Sequence, residues 1–343
     1  MPDDTLKDDL KELISEKKIV VVVGSGVSIS ATNGMAPTWC GLIESAVRKC
    51  RSLVTSGPKE KDEIKVWCDT VNNLLKLKQH PEMLLSAAQM VHEKLNRFGD
   101  GEFSRWLRES FELLDTTDRT LINAVSSLDA PLLTTNYDDL IETVTGLKYV
   151  TWKDASHMSR IVRGEDRRVL HLHGHWDHAE TIVLGIRSYE AVKNDDHTQA
   201  IMKAFGLTKS FLFIGCGDDG LSDPNFGNFL AWLEQHERSG GVQHRHYRLV
   251  RSSDDVKQHG RIFPLVYGDR YEDLPGFLQE LIPGLPHHEV RQPGRMIVKT
   301  SVTLPDSVSA YLDRLAEDTC RLKLLGDPHT DHHTPAERCG RAV

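Results

Sequence analysis

The chain has 343 residues, 39% hydrophobic and 27% charged, enough for one large domain with an insertion or two modest ones. Its formal net charge of −8 leaves no basic footprint for direct nucleic-acid binding, and its longest strongly apolar run, residues 19–23, is far short of a membrane span. Residues 1–18 lack the apolar stretch of a signal peptide and the six cysteines are scattered without a CxxC pair, so the expectation is a cytoplasmic protein with neither zinc ribbon nor disulfide scaffold.

In chain order, residues 3–16 read as an amphipathic helix with Leu6, Leu10, Leu13 and Ile14 on one face. The β-branched run Ile19-Val20-Val21-Val22-Val23 reads as a strand buried on both faces. It enters Gly24-Ser25-Gly26-Val27-Ser28 directly, and residues 39–48 look helical again. Residues 60–128 carry apolar positions at helical spacing with hardly a strand signal, which predicts a helical insertion over about residues 40–129. Strand-like runs return at 130–134, 168–172, 181–184, 210–214, 246–250 and 262–266, with helical patterns at 139–145, 189–205, 226–236 and 274–281. This alternation predicts an α/β, Rossmann-like doubly wound, mostly parallel sheet. Residues 283–294, rich in Pro, Gly and His, read as a linker; a further helix is expected over 305–325 and a disordered tail after it. The expected organisation is a main domain over 1–290 and a C-terminal extension over 291–343.

Three polar clusters fall where buried strands should emerge, the end of an open parallel sheet at which ligands bind. The first glycine turn suits a pyrophosphate, because its glycines admit close backbone approach and the following helix start presents free amides. It lacks a third glycine at Rossmann spacing, Ile29 standing there, and a ligand-free strand-to-helix turn explains it equally well. The first polar cluster is Thr134-Thr135-Asn136-Tyr137-Asp138. Further on, His171, His173 and His175 alternate and would share one face of a strand, a pattern compatible with a metal. Gly174 interrupts that geometry and no acidic or cysteine ligand has a matching spacing, so no metal is expected. His171 reads as a satisfied interior residue, His175 as a surface one, and His173 as the one that Gly174 opens to a substrate. The third cluster is Gly215-Cys216-Gly217, followed by Asp223 and Asn225, either of which could also cap a helix. Cys216 reads as an apolar filler, since nothing adjacent would lower its pKa.

Taken in order, these segments resemble the sirtuin (silent information regulator two-like) superfamily. Gly24-Ser25-Gly26-Val27-Ser28 resembles its Gly-Ala-Gly-Ile-Ser loop, and Thr135-Asn136-Tyr137-Asp138 its Thr-Gln-Asn-Ile-Asp segment, with Thr135 at the usual Gln. Leu172-His173-Gly174 resembles its His-Gly, and Ile214-Gly215-Cys216-Gly217 stands at its Gly-Thr-Ser. The likeness runs from Ile19 to about Leu281. Two departures matter. The four-cysteine zinc module of the deacylases is missing, Cys216 being the only cysteine between Cys68 and Cys320. Their Ser-Gly-Ile-Pro stretch is replaced by Ala36-Pro37-Thr38-Trp39 and a helical insertion. Both departures resemble the zinc-free branch that hydrolyses NAD in bacterial antiphage defence, and related animal proteins assemble through the same domain.

That resemblance implies NAD as substrate and no metal. It implies that Asn136 orients the ribose and the attacking water, and that His173 contacts the ribose hydroxyls as general base. Ser25, Gly26 and Ser28 would meet the pyrophosphate, with Gly24 in the same turn. Asp138 would order the nicotinamide pocket or orient neighbours, Gly215, Cys216 and Gly217 would lie along the adenosine half, and Asp223 and Asn225 would contact a ribose. Control by homo-oligomerisation is expected, with a defence-system partner protein as a further expectation. The competing readings are a non-catalytic NAD or ADP-ribose-binding assembly module and, behind it, an NAD-dependent protein deacylase.

Overall fold

The computed structural model describes residues 3–55, 57–77, 80–217, 227, 229, 231–232, 244–254, 256 and 260–282. Its centre is a seven-stranded, all-parallel sheet: β1 (Ile19–Val23), β2 (Leu132–Thr134), β3 (Lys148–Thr151), β4 (Arg168–His171), β5 (Ser210–Ile214), β6 (His246–Arg251) and β7 (Ile262–Gly268). The order across the sheet is β3-β4-β2-β1-β5-β6-β7. Helices flank it, in a Rossmann-like arrangement. β1 sits centrally because all five of its residues are buried. Its side chains alternate between two cores, as strand geometry requires.

On one face, Ile19, Val21 and Val23 pack with Leu132, Leu212 and Tyr247 beneath α1 (Asp3–Ser15), α2 (Ser25–Ala31), α7 (Thr120–Ser127), α8 (Leu140–Thr145) and α12 (Leu274–Glu280). On the other, Val20 and Val22 pack with Leu133, Leu170 and Phe213 against α9 (Ala155–Val162) and α11 (Asp196–Thr208). A separate core joins α3 (Trp39–Ser52), α4 (Pro58–Leu75), α5 (Pro81–Phe98) and α6 (Glu102–Phe111) around Trp106, Leu95 and Val71. That core is the helical insertion. α7, by contrast, buries its apolar face against the sheet layer.

The structure departs from expectation in four places. Residues 181–184 form no strand: a 3-10 turn, Ala179–Thr181, leads into a buried loop held by Val183 N–H on the His173 carbonyl at 2.8 Å. Burial, not pairing, explains that apolar run. β3 and α9 were not anticipated; β3 is an edge strand of four residues whose outer end is exposed, so it shows little hydrophobic pattern. The helix expected over 189–205 is two, α10 (Ile186–Lys193) and α11, divided where the Asp195 carboxylate caps α11 by accepting from Thr198 N–H at 2.7 Å. The expected linker, the C-terminal helix and tail, and most of the helix expected over 226–236 lie outside the described residues.

Candidate active site at the carboxyl ends of the central strands

After β1 the chain builds β2, β3 and β4 to one side and β5, β6 and β7 to the other, so the strand order reverses between β1 and β5. The turns leaving those two strands are in main-chain contact. Gly24 N–H donates to Ile214 O at 2.9 Å and Gly26 N–H to Gly215 O at 2.9 Å. A Cβ at Gly24 would lie 2.6 Å from the Gly215 oxygen; one at Gly215, whose φ is +67°, would lie 2.7 Å from Val27 N. These glycines therefore serve the approach of one turn to the other. Ser25 is exposed at the tip, and Gly217 has open space around it. Burial pushes the Cys216 thiol up to about 12, and its Sγ rests on the Val22 and Ile214 carbonyls. That is an unreactive thiol.

One strand over, Asn136 is held at almost every polar atom. Its backbone N–H donates to Thr134 Oγ1 at 3.0 Å, and the Thr134 hydroxyl in turn donates to Val23 O at 3.0 Å. Its side-chain Nδ2 donates to Gly24 O at 3.1 Å and to Ser28 Oγ at 2.9 Å. A carbonyl oxygen only accepts, so this settles which way the amide faces. With both N–H groups spent, Oδ1 is the atom left over, and it is not among the buried side-chain atoms lacking a partner. Asn136 thus presents a hydrogen-bond acceptor through its remaining 8% exposure.

The Ser28 hydroxyl continues the chain by donating to Asp138 Oδ1 at 3.0 Å, which also accepts from Leu140 N–H at 3.4 Å. Burial pushes the Asp138 carboxyl up to about 6, and the Ser28 hydrogen bond and nearby His171 hold it from rising further. Ser28, at 2% exposure, is spent inside this network, as the Gly26 amide is on Gly215. Of the residues expected on a pyrophosphate, Ser25 is the one whose side chain faces outward.

The three alternating histidines diverge. β4 ends at His171, so no extended strand carries them to one face. His171 is fully buried, with Nδ1 3.0 Å from the Asn136 carbonyl and Nε2 2.8 Å from Glu142 Oε1. Burial opposes its charge, yet Glu142, Asp138 and the Asn136 carbonyl outweigh that and raise its pKa. His175, expected at the surface, is instead 2% exposed and stacked on Tyr149, ring centroids 3.8 Å apart. Burial, then the neighbouring His171 and His178, push it down to about 3, so it stays neutral. His173 is 5% exposed and meets the Tyr189 ring edge to face at 5.5 Å. Gly174, at φ +86°, is required by the chain's own path: a Cβ there would sit 2.2 Å from the Thr181 oxygen. Among the described residues, no group of three or more His, Cys, Asp or Glu side chains could hold a metal ion.

β2 and β4 are adjacent, with Thr134 opposite His171, so Asn136 and His173 each stand two residues beyond that pair. Val183 links the two segments, taking Tyr137 Oη–H on its carbonyl at 2.8 Å while its amide donates to the His173 carbonyl. Residues 131–263 match the family model of the SIR2-like domain. The match supports the sirtuin-like superfamily and, with it, an NAD-related role. It spans Asn136, Asp138, His173 and the Gly215 turn, while the Gly24 turn lies before it.

Around this site, sequence reading overlooked two residues. Glu142, a helical position four residues after Asp138, is the buried partner of His171. Arg248, at 7% exposure in β6, donates from Nε to the Cys216 carbonyl at 3.1 Å and braces the Gly215–Gly217 turn. An arginine flanked by Tyr247 and Leu249 at the centre of a short strand was the available signal. Asp223 and Asn225 lie outside the described residues.

Proposed function

We propose that the protein is an NAD glycohydrolase, cleaving the nicotinamide–ribose bond with water to give nicotinamide, ADP-ribose and a proton. The observation that carries this reading is the Asn136 amide, locked so that Oδ1 alone is offered at the crevice. An acceptor there suits a ribose hydroxyl or the O–H of an attacking water, and its partial negative charge suits the oxocarbenium-like ribose that forms as nicotinamide leaves with the bonding electrons. His173, on the adjacent segment, takes the proton from water as its oxygen bonds to the anomeric carbon. Ser25, exposed at the tip of the first glycine turn, receives the pyrophosphate, while Gly215, Cys216 and Gly217 lie along the adenosine half. Asp138 and Ser28 orient Asn136.

The missing four-cysteine module favours hydrolysis over lysine deacylation. By resemblance to the zinc-free branch, the activity belongs to a cytoplasmic defence effector restrained through homo-oligomerisation. Among the described residues, no helix is long and apolar enough to cross a membrane.

Purified protein incubated with NAD should release nicotinamide and ADP-ribose in equal amounts. Asn136→Ala and His173→Ala should each lower turnover about a hundredfold or more. Near-normal hydrolysis by both variants would refute the assignment. NAD binding without any turnover by the parent protein would favour the non-catalytic assembly module instead.

A further inference from the structure

The Glu142–His171 pair has no part in the chemistry just described, yet it touches the residue at its centre. Glu142 projects from α8, its side chain 9% exposed, and the sole side-chain hydrogen bond it makes among the described residues is to His171 Nε2; Oε2 is buried without a partner. A buried carboxylate with so little compensation costs stability, and an apolar pair of similar size would hold α8 against β4 better. Its position therefore calls for a use beyond packing. Through the ring, that use reaches the Asn136 carbonyl, 3.0 Å from Nδ1. Because a carbonyl only accepts, Nδ1 must carry a proton.

We propose that Glu142 and His171 are positioning residues for Asn136: the carboxylate fixes the imidazole, and the imidazole holds the Asn136 peptide so that the side-chain oxygen stays aimed at the crevice. Asn136 is anchored at three points: its amide on Thr134, its side-chain nitrogen on Gly24 and Ser28, and its carbonyl on His171. The first two hold one edge of the residue. The third holds its carbonyl, which the first two leave untouched. Displacement of a reacting group by an ångström costs on the order of a hundredfold in rate, so a partial loosening should be visible in turnover. The proposal rests on the glycohydrolase reading and predicts a loss in kcat at nearly constant KM, since Asn136 is aimed at the reacting carbon and the bulk of the substrate is held elsewhere.

The test compares Glu142→Leu, which removes the hydrogen bond, with Glu142→Gln, which keeps one while removing the charge. Glu142→Leu should lower kcat for nicotinamide release about tenfold or more with KM little changed, and Glu142→Gln should restore most of it. Wild-type kcat in Glu142→Leu, or equal impairment of both variants, would overturn the proposal. Asn136→Ala, run in parallel, separates the two claims. If it is inactive while Glu142→Leu is unimpaired, only the positioning role falls; if it is fully active, the reading of the site falls first. The parent protein gives a check independent of turnover and of how the variants fold. Nitrogen-15 NMR of the His171 ring at pH 7.5 must report a proton on Nδ1, and a bare Nδ1 would overturn the proposal.

Discussion

Asp138 is a carboxyl group whose burial raises its pKa to about 6, above its value in an unfolded chain. Between roughly pH 4 and 6 the folded protein therefore binds the proton more readily than the unfolded one. Stability falls as pH rises through that window, and the penalty is complete above it. Asp138→Asn should raise the melting temperature at pH 7.5, by up to about 3 kcal/mol in stability, and change it little at pH 4. Activity should run the other way. The ionised carboxylate is the stronger acceptor for the Ser28 hydroxyl, so hydrolysis by the parent should climb as pH passes about 6, and Asp138→Asn should lose that limb. A pH–rate profile beside thermal melts checks both. At this scale the sequence showed which side chains gather at strand ends but not what each one spends its hydrogen bonds on. Resemblance of the first glycine turn to the family loop put Ser28 on the pyrophosphate; its actual partners, Asn136 and Asp138, are 108 and 110 residues away.

Among the elements, the glycine turns carry the sharpest constraint. Gly24→Ala would drive a methyl group against the Gly215 oxygen and the α-carbon and sulfur of Cys216. Gly174→Ala would add a left-handed φ to a 2.2 Å clash with Thr181. Each should cost at least about 2 kcal/mol in denaturant unfolding, whereas Gly217→Ala, with open space at its Cβ, should be nearly neutral. β1 was legible with its bounds unchanged because a run of five β-branched residues has no helical counterpart. β3 was not, because an edge strand of Lys-Tyr-Val-Thr buries only its last two residues. The 181–184 run misled for the converse reason: burial alone selects apolar residues, whether or not the backbone joins a ladder.

For the whole molecule, the helical insertion and the site share one apolar cluster. Tyr137, Ile182 and Leu184, which flank Asn136 and follow His173, pack in the same core as α3 to α6, and Phe111 of α6 meets the Tyr137 ring at 6.1 Å. At the rim, Gln89 of α5 accepts from Arg187 N–H at 3.1 Å and leaves no room for a Cβ at Gly185. Trp106→Ala, emptying the centre of the insertion, should therefore cost about 3 to 5 kcal/mol and also slow hydrolysis, although Trp106 belongs to none of the site segments. A stability loss with unaltered kcat in the surviving folded fraction would show the two to be uncoupled. The insertion was evident in the sequence as a stretch without strands, but its link to the site was not, since that contact is made by loops with no periodicity of their own.

The union of the Gly24 and Gly215 turns has a last consequence. Two main-chain hydrogen bonds and interlocked α-carbons make the seam between the halves of the sheet a single rigid anvil. A molecule lying across it finds that surface already finished, and spends none of its affinity shaping it. If the glycohydrolase reading holds, whatever yields to admit the dinucleotide and let its fragments go must be the rim, where side chains and loops meet, because the base has nowhere to bend.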